Sequence, residues 1–135
     1  MNWRKFLAAF MILCNFVFVS SVQAEIKTYT GVGEHYMEDE NETLAQAQDK
    51  AKLAAQLDAM EQAQVNVQDY SEGNNFNLTQ DEIITITAGI LNVIDVKYSL
   101  KDDRGVMLMR AEVTAEIDTD KIAELVEREI KRRAA

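Results

Sequence analysis

The side chains that could support acid–base or nucleophilic chemistry are few, and His35 is the only histidine. A nucleophilic site would have to be built around that imidazole alone, because no cysteine follows Cys14. His35 lies near the end of a predicted strand, where a lone polar side chain is usually solvated. Two converging carboxylates could hydrolyse a glycosidic bond, but any acidic sequence contains candidates, and this one does not show which carboxylates converge. We therefore assign no catalytic residue and predict that the protein is not an enzyme.

Four residues alternate as the oxygen ligands of a calcium-binding loop do: Asp69, Ser71, Gly73 and Asn75. The sixth position of that pattern is Asn74, where the sharp turn needs glycine, and the twelfth is Gln80, where a bidentate carboxylate is needed. We predict no metal or cofactor site, and we keep a weak calcium site within residues 69–82 as an open alternative.

The first 24 residues have the order of a secretory signal. Arg4 and Lys5 precede an apolar stretch that reaches Val19, and Ser20-Ser21-Val22-Gln23-Ala24 offers the small residues that a signal peptidase reads. We predict cleavage between Ala24 and Glu25. The alternative, an uncleaved anchor, would need roughly 20 apolar residues to span a bilayer, and this stretch is shorter. Cys14 would leave with the signal, and Leu13 before it argues against lipidation, which favours a small residue there.

Charge limits the partners of the remaining chain, residues 25–135. The whole sequence has 14 basic and 23 acidic side chains, and removal of Arg4 and Lys5 leaves 12 against 23, a formal charge of −11. That charge repels phosphate, so we predict no nucleic-acid partner. The length fits a single domain that follows a signal peptide at 1–24.

Strong helix formers extend from Glu42 to Gln64 and predict a long helix. Alanines recur at every fourth position, a pattern that lets a helix lie close on a sheet: Ala47, Ala51, Ala55, Ala59 and Ala63. A second apolar group falls on the opposite side and is the candidate partner-facing surface: Leu53, Leu57 and Met60. Either another element of the same domain or a protein partner would cover it, and we favour the former.

The remaining elements follow from local patterns. Residues 26–36 alternate as a strand does, with Gly31 and Gly33 on one face, where a helix can approach closely or a bulge can lie. Residues 65–70 predict a short strand and 71–77 a loop. Thr79 and Glu82 form a capping-box sequence that predicts a helix over 80–90.

The last part of the chain predicts a long hairpin and a helix. Two alternating segments, 94–100 and 107–117, flank the turn Asp102-Asp103-Arg104-Gly105. A helix begins near Asp118 or Thr119 and shows one apolar face: Ile122, Leu125, Val126 and Ile130. Together these elements predict an α+β fold of two layers in the order β-α-β-α-β-β-α, with an antiparallel or mixed sheet of about four strands and the helices mainly on one face.

Several segments resemble bacterial envelope domains related to the twenty-kilodalton surface lipoprotein family and to the N-terminal domain of flagellar assembly protein T. The resemblance covers nearly all of residues 26–118 and depends on these segments: Tyr29-Thr30-Gly31-Val32-Gly33-Glu34, the alanine ladder with Lys50-Ala51-Lys52, Ala63-Gln64-Val65-Asn66-Val67, and Leu78-Thr79-Gln80-Asp81-Glu82 followed by Gly89-Ile90. It implies an envelope module without catalytic residues, used in surface or appendage assembly. Gln64 departs from the pattern, because similar members often have glycine at the turn from helix to strand.

These observations together predict a non-catalytic exported protein that binds a protein partner in the periplasm, in the medium or at the cell surface. The oligomeric state is left open. The alternative is a secreted or periplasmic protein that binds a small ligand or calcium.

Overall fold

A computed structural model describes residues 25–135, which form three helices and three strands. In chain order these are β1 (Ile26–Met37), α1 (Leu44–Gly73), α2 (Gln80–Ile90), β2 (Leu91–Asp103), β3 (Val106–Asp118) and α3 (Asp120–Ala134). The sheet has the strand order β1-β3-β2, and both neighbouring pairs are antiparallel. The predicted α+β class is confirmed, but the sheet has three strands where about four were predicted.

The missing strand is the one predicted at residues 65–70, which the structure places inside α1. Val65 and Val67 alternate as in a strand, yet Val67 is fully buried while Val65 is 55 % exposed. Burial therefore follows the four-residue spacing that starts at Ala47 and continues through Ala63 to Val67 and Ser71. The helix continues through Gln64, the position at which the sequence already lacked the glycine of a turn. The prediction of a strand here, and of a loop from Ser71 to Gly73, was wrong.

Two glycines of β1 determine how α1 lies on the sheet. A Cβ atom on Gly31 would lie 2.0 Å from the carbonyl oxygen of Ala55 and 2.6 Å from the amide nitrogen of Ala59. On Gly33 it would lie 2.3 Å from the Ala51 carbonyl oxygen. The helix backbone thus touches the strand backbone, and the predicted close packing at the glycine strip is confirmed. All five ladder alanines are fully buried.

The predicted hairpin is confirmed, with a two-residue loop at Arg104 and Gly105. Both residues have positive φ, 55° and 86°, as a type I′ hairpin turn requires. The Asp102 carboxylate accepts a hydrogen bond from the Gly105 amide at 2.9 Å and stabilises the turn. The least exposed side chains of β3 all lie on the face toward α1: Met109, Ala111, Val113, Ala115 and Ile117.

The second half of the core lies where α2 and α3 pack against the C-terminal half of α1. Its buried members are Ala63, Val67, Ile83, Ile86, Ile90, Ile117, Ile122 and Val126. The predicted capping box is present: the Thr79 hydroxyl accepts from the Glu82 amide, and the Glu82 carboxylate accepts from the Thr79 amide. Arg133 of α3 also donates to Glu82 and to the Asn77 carbonyl oxygen, so the last turn of α3 is tied to the start of α2. The predicted placement of the helices on one face of the sheet agrees with this packing.

Candidate functional site

The predicted partner-facing residues lie on the outer side of α1, opposite the sheet. Leu53 and Leu57 are each two positions from Ala55, about 200° around the helix from the buried ladder. They are 59 % and 48 % exposed, and Met60 beside them is half-buried. Among residues 25–135 no element covers the two leucines. The expectation that another part of the same domain would cover them was wrong, and we call this pair the α1 ridge.

A second exposed apolar surface lies on the helix-facing side of the sheet, along β2. Tyr98 pairs with Ala111, and Leu100 pairs with Met109. The β3 partners are 0 % and 2 % exposed, whereas Tyr98 is 39 % and Leu100 46 % exposed. Met107, which extends this surface on β3, is 38 % exposed. We call Tyr98, Leu100 and Met107 the β2 strip.

The strip is bare because α1 packs against β1 and β3 and scarcely reaches β2. The contacts of Gly31 and Gly33 draw the helix toward the β1 side of the sheet, and the width of one helix does not then cover three strands. Alternation over 94–100 predicts a strand of the hairpin here, and the β2 residues that are partly buried against the core are Leu91, Val93 and Val96. Ile94 lies at a bulge between Val93 and Asp95 and is 51 % exposed.

The two edges of the sheet differ. On the β1 edge, the Val32 amide donates to the Asp58 carboxylate at 2.8 Å, and the Gln62 side-chain amide donates to the Thr30 carbonyl oxygen at 2.8 Å. Side chains of α1 thus satisfy backbone groups that would otherwise be free to pair with another strand. In the described part of the chain, no side chain makes such a bond to the β2 backbone. The open edge of the sheet is therefore the one that carries the β2 strip.

His35 is part of an ion-pair cluster at the connection from β1 to α1. Its Nε2 lies 2.7 Å from Oε1 of Glu42, and Lys50 donates to the other carboxylate oxygen. The Glu42 side chain is only 4 % exposed, and the hydrogen bond from Lys50 holds the pKa of its carboxyl below the ordinary value. A depression of about 500 Å³ adjoins the cluster, and its lining consists of Asp39, Asn41, Glu42, Gln46, Asp49 and Lys50, without His35. This geometry ties the start of α1 to β1.

The residues of the calcium-like pattern do not form a loop. Asp69, Ser71 and Gly73 lie on α1, and the Ser71 hydroxyl donates to the Phe76 carbonyl oxygen at 2.8 Å. Ser71 is 3 % exposed, so its oxygen faces the protein interior. Within residues 25–135, no three histidine, cysteine or acidic side chains converge on a point where a metal ion could bind.

The predicted signal, with Cys14 and Ala24, lies outside the described residues. Glu25 is described, and its carbonyl oxygen accepts hydrogen bonds from the Thr119 amide at 3.0 Å and the Thr119 hydroxyl at 2.8 Å. Within the described residues, the pairing of β1 with β3 begins at Ile26, opposite Asp118. Over the described range 25–135, no helix combines the length and the apolar character that a membrane span requires.

Comparison with known proteins gives no family for the chain: no protein-family model matches it, and no characterised protein matches its sequence. The resemblance to the surface lipoprotein and flagellar assembly domains stays a prediction.

Proposed function

We propose that this protein is a non-catalytic interaction module of the bacterial cell envelope, exported and then used in assembling a surface structure or an appendage. The β2 strip carries the proposal. Its side chains lie on the helix-facing side of the sheet, where the neighbouring β3 residues Met109 and Ala111 are buried, yet they remain in contact with solvent. Contiguous exposed apolar surface of this kind is typical of sites that bind another protein.

The α1 ridge adds a second exposed apolar surface. Leu53 and Leu57 lie one helical turn apart, so they form a pair on which a partner element could pack. The helix beneath them is held rigidly by backbone contact with Gly31 and Gly33. An exposed apolar pair on a rigid helix fits a binding surface better than a flexible loop would, since little backbone freedom is lost on binding.

The non-catalytic part of the proposal is supported by the way that the polar groups are used. His35 and Lys50 both bind the Glu42 carboxylate, while the Glu82 carboxylate binds Arg133 and accepts from the Thr79 amide at the start of α2. These charged side chains therefore stabilise connections between elements of the fold. The predicted signal in residues 1–24 supports export.

Photo-crosslinking in living cells tests the proposal. A photoreactive amino acid would replace Tyr98 in one variant and Thr28 in the other, and Thr28 is the control because it is exposed on the face of β1 that lies away from α1. We expect the protein to be recovered in the envelope fraction with Glu25 as its N-terminal residue. Discrete cross-linked products should form from the Tyr98 position only. Protein that keeps Met1 and stays in the cytoplasm, or equal cross-linking from both positions, would overturn the proposal.

A further inference from the structure

We propose that two copies of this chain join through β2, antiparallel about a two-fold axis at Tyr98, so that two three-stranded sheets become one sheet of six strands. The inference rests on the proposed interaction function and names a second copy as the partner. It follows from three features of β2: an open backbone edge, an apolar strip, and the order of its charges.

The open edge provides the backbone hydrogen bonds. Antiparallel addition of a strand is a common way to satisfy the unpaired N–H and C=O groups of an edge strand. The opposite edge cannot serve in the same way, because Asp58 and Gln62 already bind the backbone of β1 at Val32 and Thr30. Joining therefore uses β2, and a pair closes after two copies because each copy has one open edge.

Symmetry restricts the register. A two-fold axis perpendicular to the sheet keeps the helices of both copies on one side and places each residue opposite the residue equally far from the axis. Directly opposed residues of antiparallel strands point to the same face of the sheet. The axis must therefore lie between one residue and the same residue of the second copy, and it cannot lie midway between two successive residues. The bulge between Val93 and Asp95 leaves a regular strand from Asp95 onward.

With the axis at Tyr98, every side chain from Asp95 to Lys101 meets a compatible one, and the regular pairing ends where Asp102 reaches Ile94 of the bulge. Asp95 lies opposite Lys101 of the second copy, and the symmetry repeats this ion pair, on the face away from α1. On the helix-facing side, Val96 lies opposite Leu100 of the second copy, and the two Tyr98 side chains meet at the axis. The faces follow from pairing with β3, in which Asp95 faces Thr114 and Tyr98 faces Ala111. Opposite charges and apolar pairs in these positions stabilise antiparallel strands.

Neighbouring registers place like charges together. An axis at Lys97 would put that lysine opposite its own copy. An axis at Ser99 would put Lys97 opposite Lys101, and Asp95 opposite Asp103. Both arrangements are destabilising, because directly opposed like charges on a sheet repel.

The two remaining registers near the strip fail for other reasons. An axis at Leu100 would place Asp102 opposite Tyr98, and would thus insert a carboxylate into the apolar strip. An axis at Val96 would place Tyr98 opposite Ile94 of the bulge, which leaves only Asp95, Val96 and Lys97 in the regular ladder. Tyr98 is the axis position that matches both the charges and the apolar side chains.

Two electrostatic terms oppose joining, and both are limited. Lysines on an edge strand usually discourage pairing, but here Lys101 has an acidic partner and Lys97 faces only Ser99. The formal charge of −11 for residues 25–135 makes the copies repel. At about 0.15 M salt the screening length is roughly 8 Å, so distant charges are weak while charges in contact still attract.

The first test is a charge swap, measured by analytical ultracentrifugation of the exported chain. Asp95→Lys and Lys101→Asp each turn two ion pairs into two like-charge pairs, and we expect each to raise the dimer dissociation constant about tenfold or more. The double variant Asp95→Lys with Lys101→Asp restores opposite charges and should restore dimerisation. Both residues are exposed, so circular dichroism and the melting temperature should stay at wild-type values in all three variants.

The second test fixes the register with a disulfide in a Cys14→Ser background. Tyr98→Cys places two thiols directly opposite each other, at a Cα separation of about 4.5–5.5 Å that suits a disulfide. Leu100→Cys is the matched control, because its symmetry mate lies four residues farther along the strand, about 13 Å away. We expect a covalent dimer from Tyr98→Cys and none from Leu100→Cys on mild oxidation.

A monomer at about 100 μM by sedimentation, or single charge variants that associate as strongly as the wild type, would overturn the inference. The result is separable from the proposed function. Cross-links from Tyr98 to a different protein, with the chain itself monomeric, would reject the second copy and support the interaction role. Cross-links from Tyr98 to the same chain, with rescue by the double variant, would support both.

Discussion

Substitution of Gly31 by alanine tests the central packing feature of this fold. The added Cβ would lie 2.0 Å from the Ala55 carbonyl oxygen, whereas ordinary contact begins near 3.4 Å. The Ala55 oxygen and the Gly31 Cα that would carry the added methyl group both belong to backbone that secondary structure holds in place. Helix α1 must therefore withdraw from β1 by about 1 Å or more, and the contacts of the alanine ladder loosen with it.

The expected cost is large for a single methyl group. Overpacking a core typically costs about 1–3 kcal/mol, and a clash with backbone that cannot repack should reach about 3 kcal/mol. For a domain of about 100 residues, 1 kcal/mol corresponds to a shift of roughly 4 °C, so the melting temperature should fall by about 12 °C. Thermal denaturation followed by far-ultraviolet circular dichroism measures this directly.

Two further variants make the test specific. Gly89 lies in helix α2, and a Cβ added there would be 3.9 Å from Leu125 of α3, an ordinary contact distance. Because alanine favours helix over glycine, Gly89→Ala should be neutral or stabilising by up to about 1 kcal/mol. Ala59→Gly should not rescue Gly31→Ala, because the two closest contacts are to helix backbone atoms and not to the Ala59 methyl group. A Gly31→Ala protein that melts within about 2 °C of the wild type would refute the backbone contact.

Two other predictions concern the second half of the core. Val67→Ala should lower the free energy of unfolding by about 2 kcal/mol in chemical denaturation, because two buried methyl groups are lost. Val65→Ala, on the exposed side of the helix, should be neutral or slightly stabilising, because alanine favours helix. A clear loss from Val65→Ala would contradict the helical assignment of this segment. The hydrogen bond from Arg133 holds the pKa of the Glu82 carboxyl well below its ordinary value, so its stabilising effect is complete above that ordinary value and is lost as acid protonates the carboxylate. When the pH is lowered from about 6 to about 3, the denaturation midpoint should drop less in Glu82→Gln than in the wild type. Glu124→Gln removes an exposed ion pair and is the control, which should behave as the wild type. An equal fall in the wild type and Glu82→Gln would reject this role for Glu82.

The β2 strip and the α1 ridge have a common cause. The two glycines place the long helix α1 over β1, so the helix-facing side of β2 stays uncovered. No element among residues 25–135 covers the outer side of α1 at Leu53 and Leu57. The fold thus buries its core with a minimum of elements, and the apolar side chains left over are gathered on two surfaces. Both surfaces would be available to partners at once, because they lie on different elements of the domain.

Much of the fold could be predicted because short-range signals decide it. The capping box at Thr79 and Glu82 starts a helix at that position, even though the β-branched residues that follow favour strand. The Arg104-Gly105 loop sets the hairpin because few residue pairs adopt its two positive φ angles. The alanine ladder and the glycine pair of β1 likewise indicate close helix–strand packing before any coordinates are known.

The same reasoning failed where one local pattern fits two structures. In Val65-Asn66-Val67 the alternation suits a strand, but the spacing from Ala63 to Val67 suits the helix already in progress, and burial of Val67 against α2 and α3 decides between them. Only long-range packing supplies that information. For the candidate site, the helical spacing of Leu53 and Leu57 identified the α1 ridge, although the expectation that it would be covered was wrong.

The sequence by itself determined the type of most elements, the turn of the hairpin and the face of each helix that is apolar, because these depend on residues a few positions apart. Only the tertiary structure decided how many strands form, which sheet edge is closed, and which apolar side chains of β2 stay exposed. The physical reason is that exposure of Tyr98 and Leu100 depends on where α1 crosses the sheet, and contacts from Gly31, more than sixty positions earlier in the chain, fix that crossing.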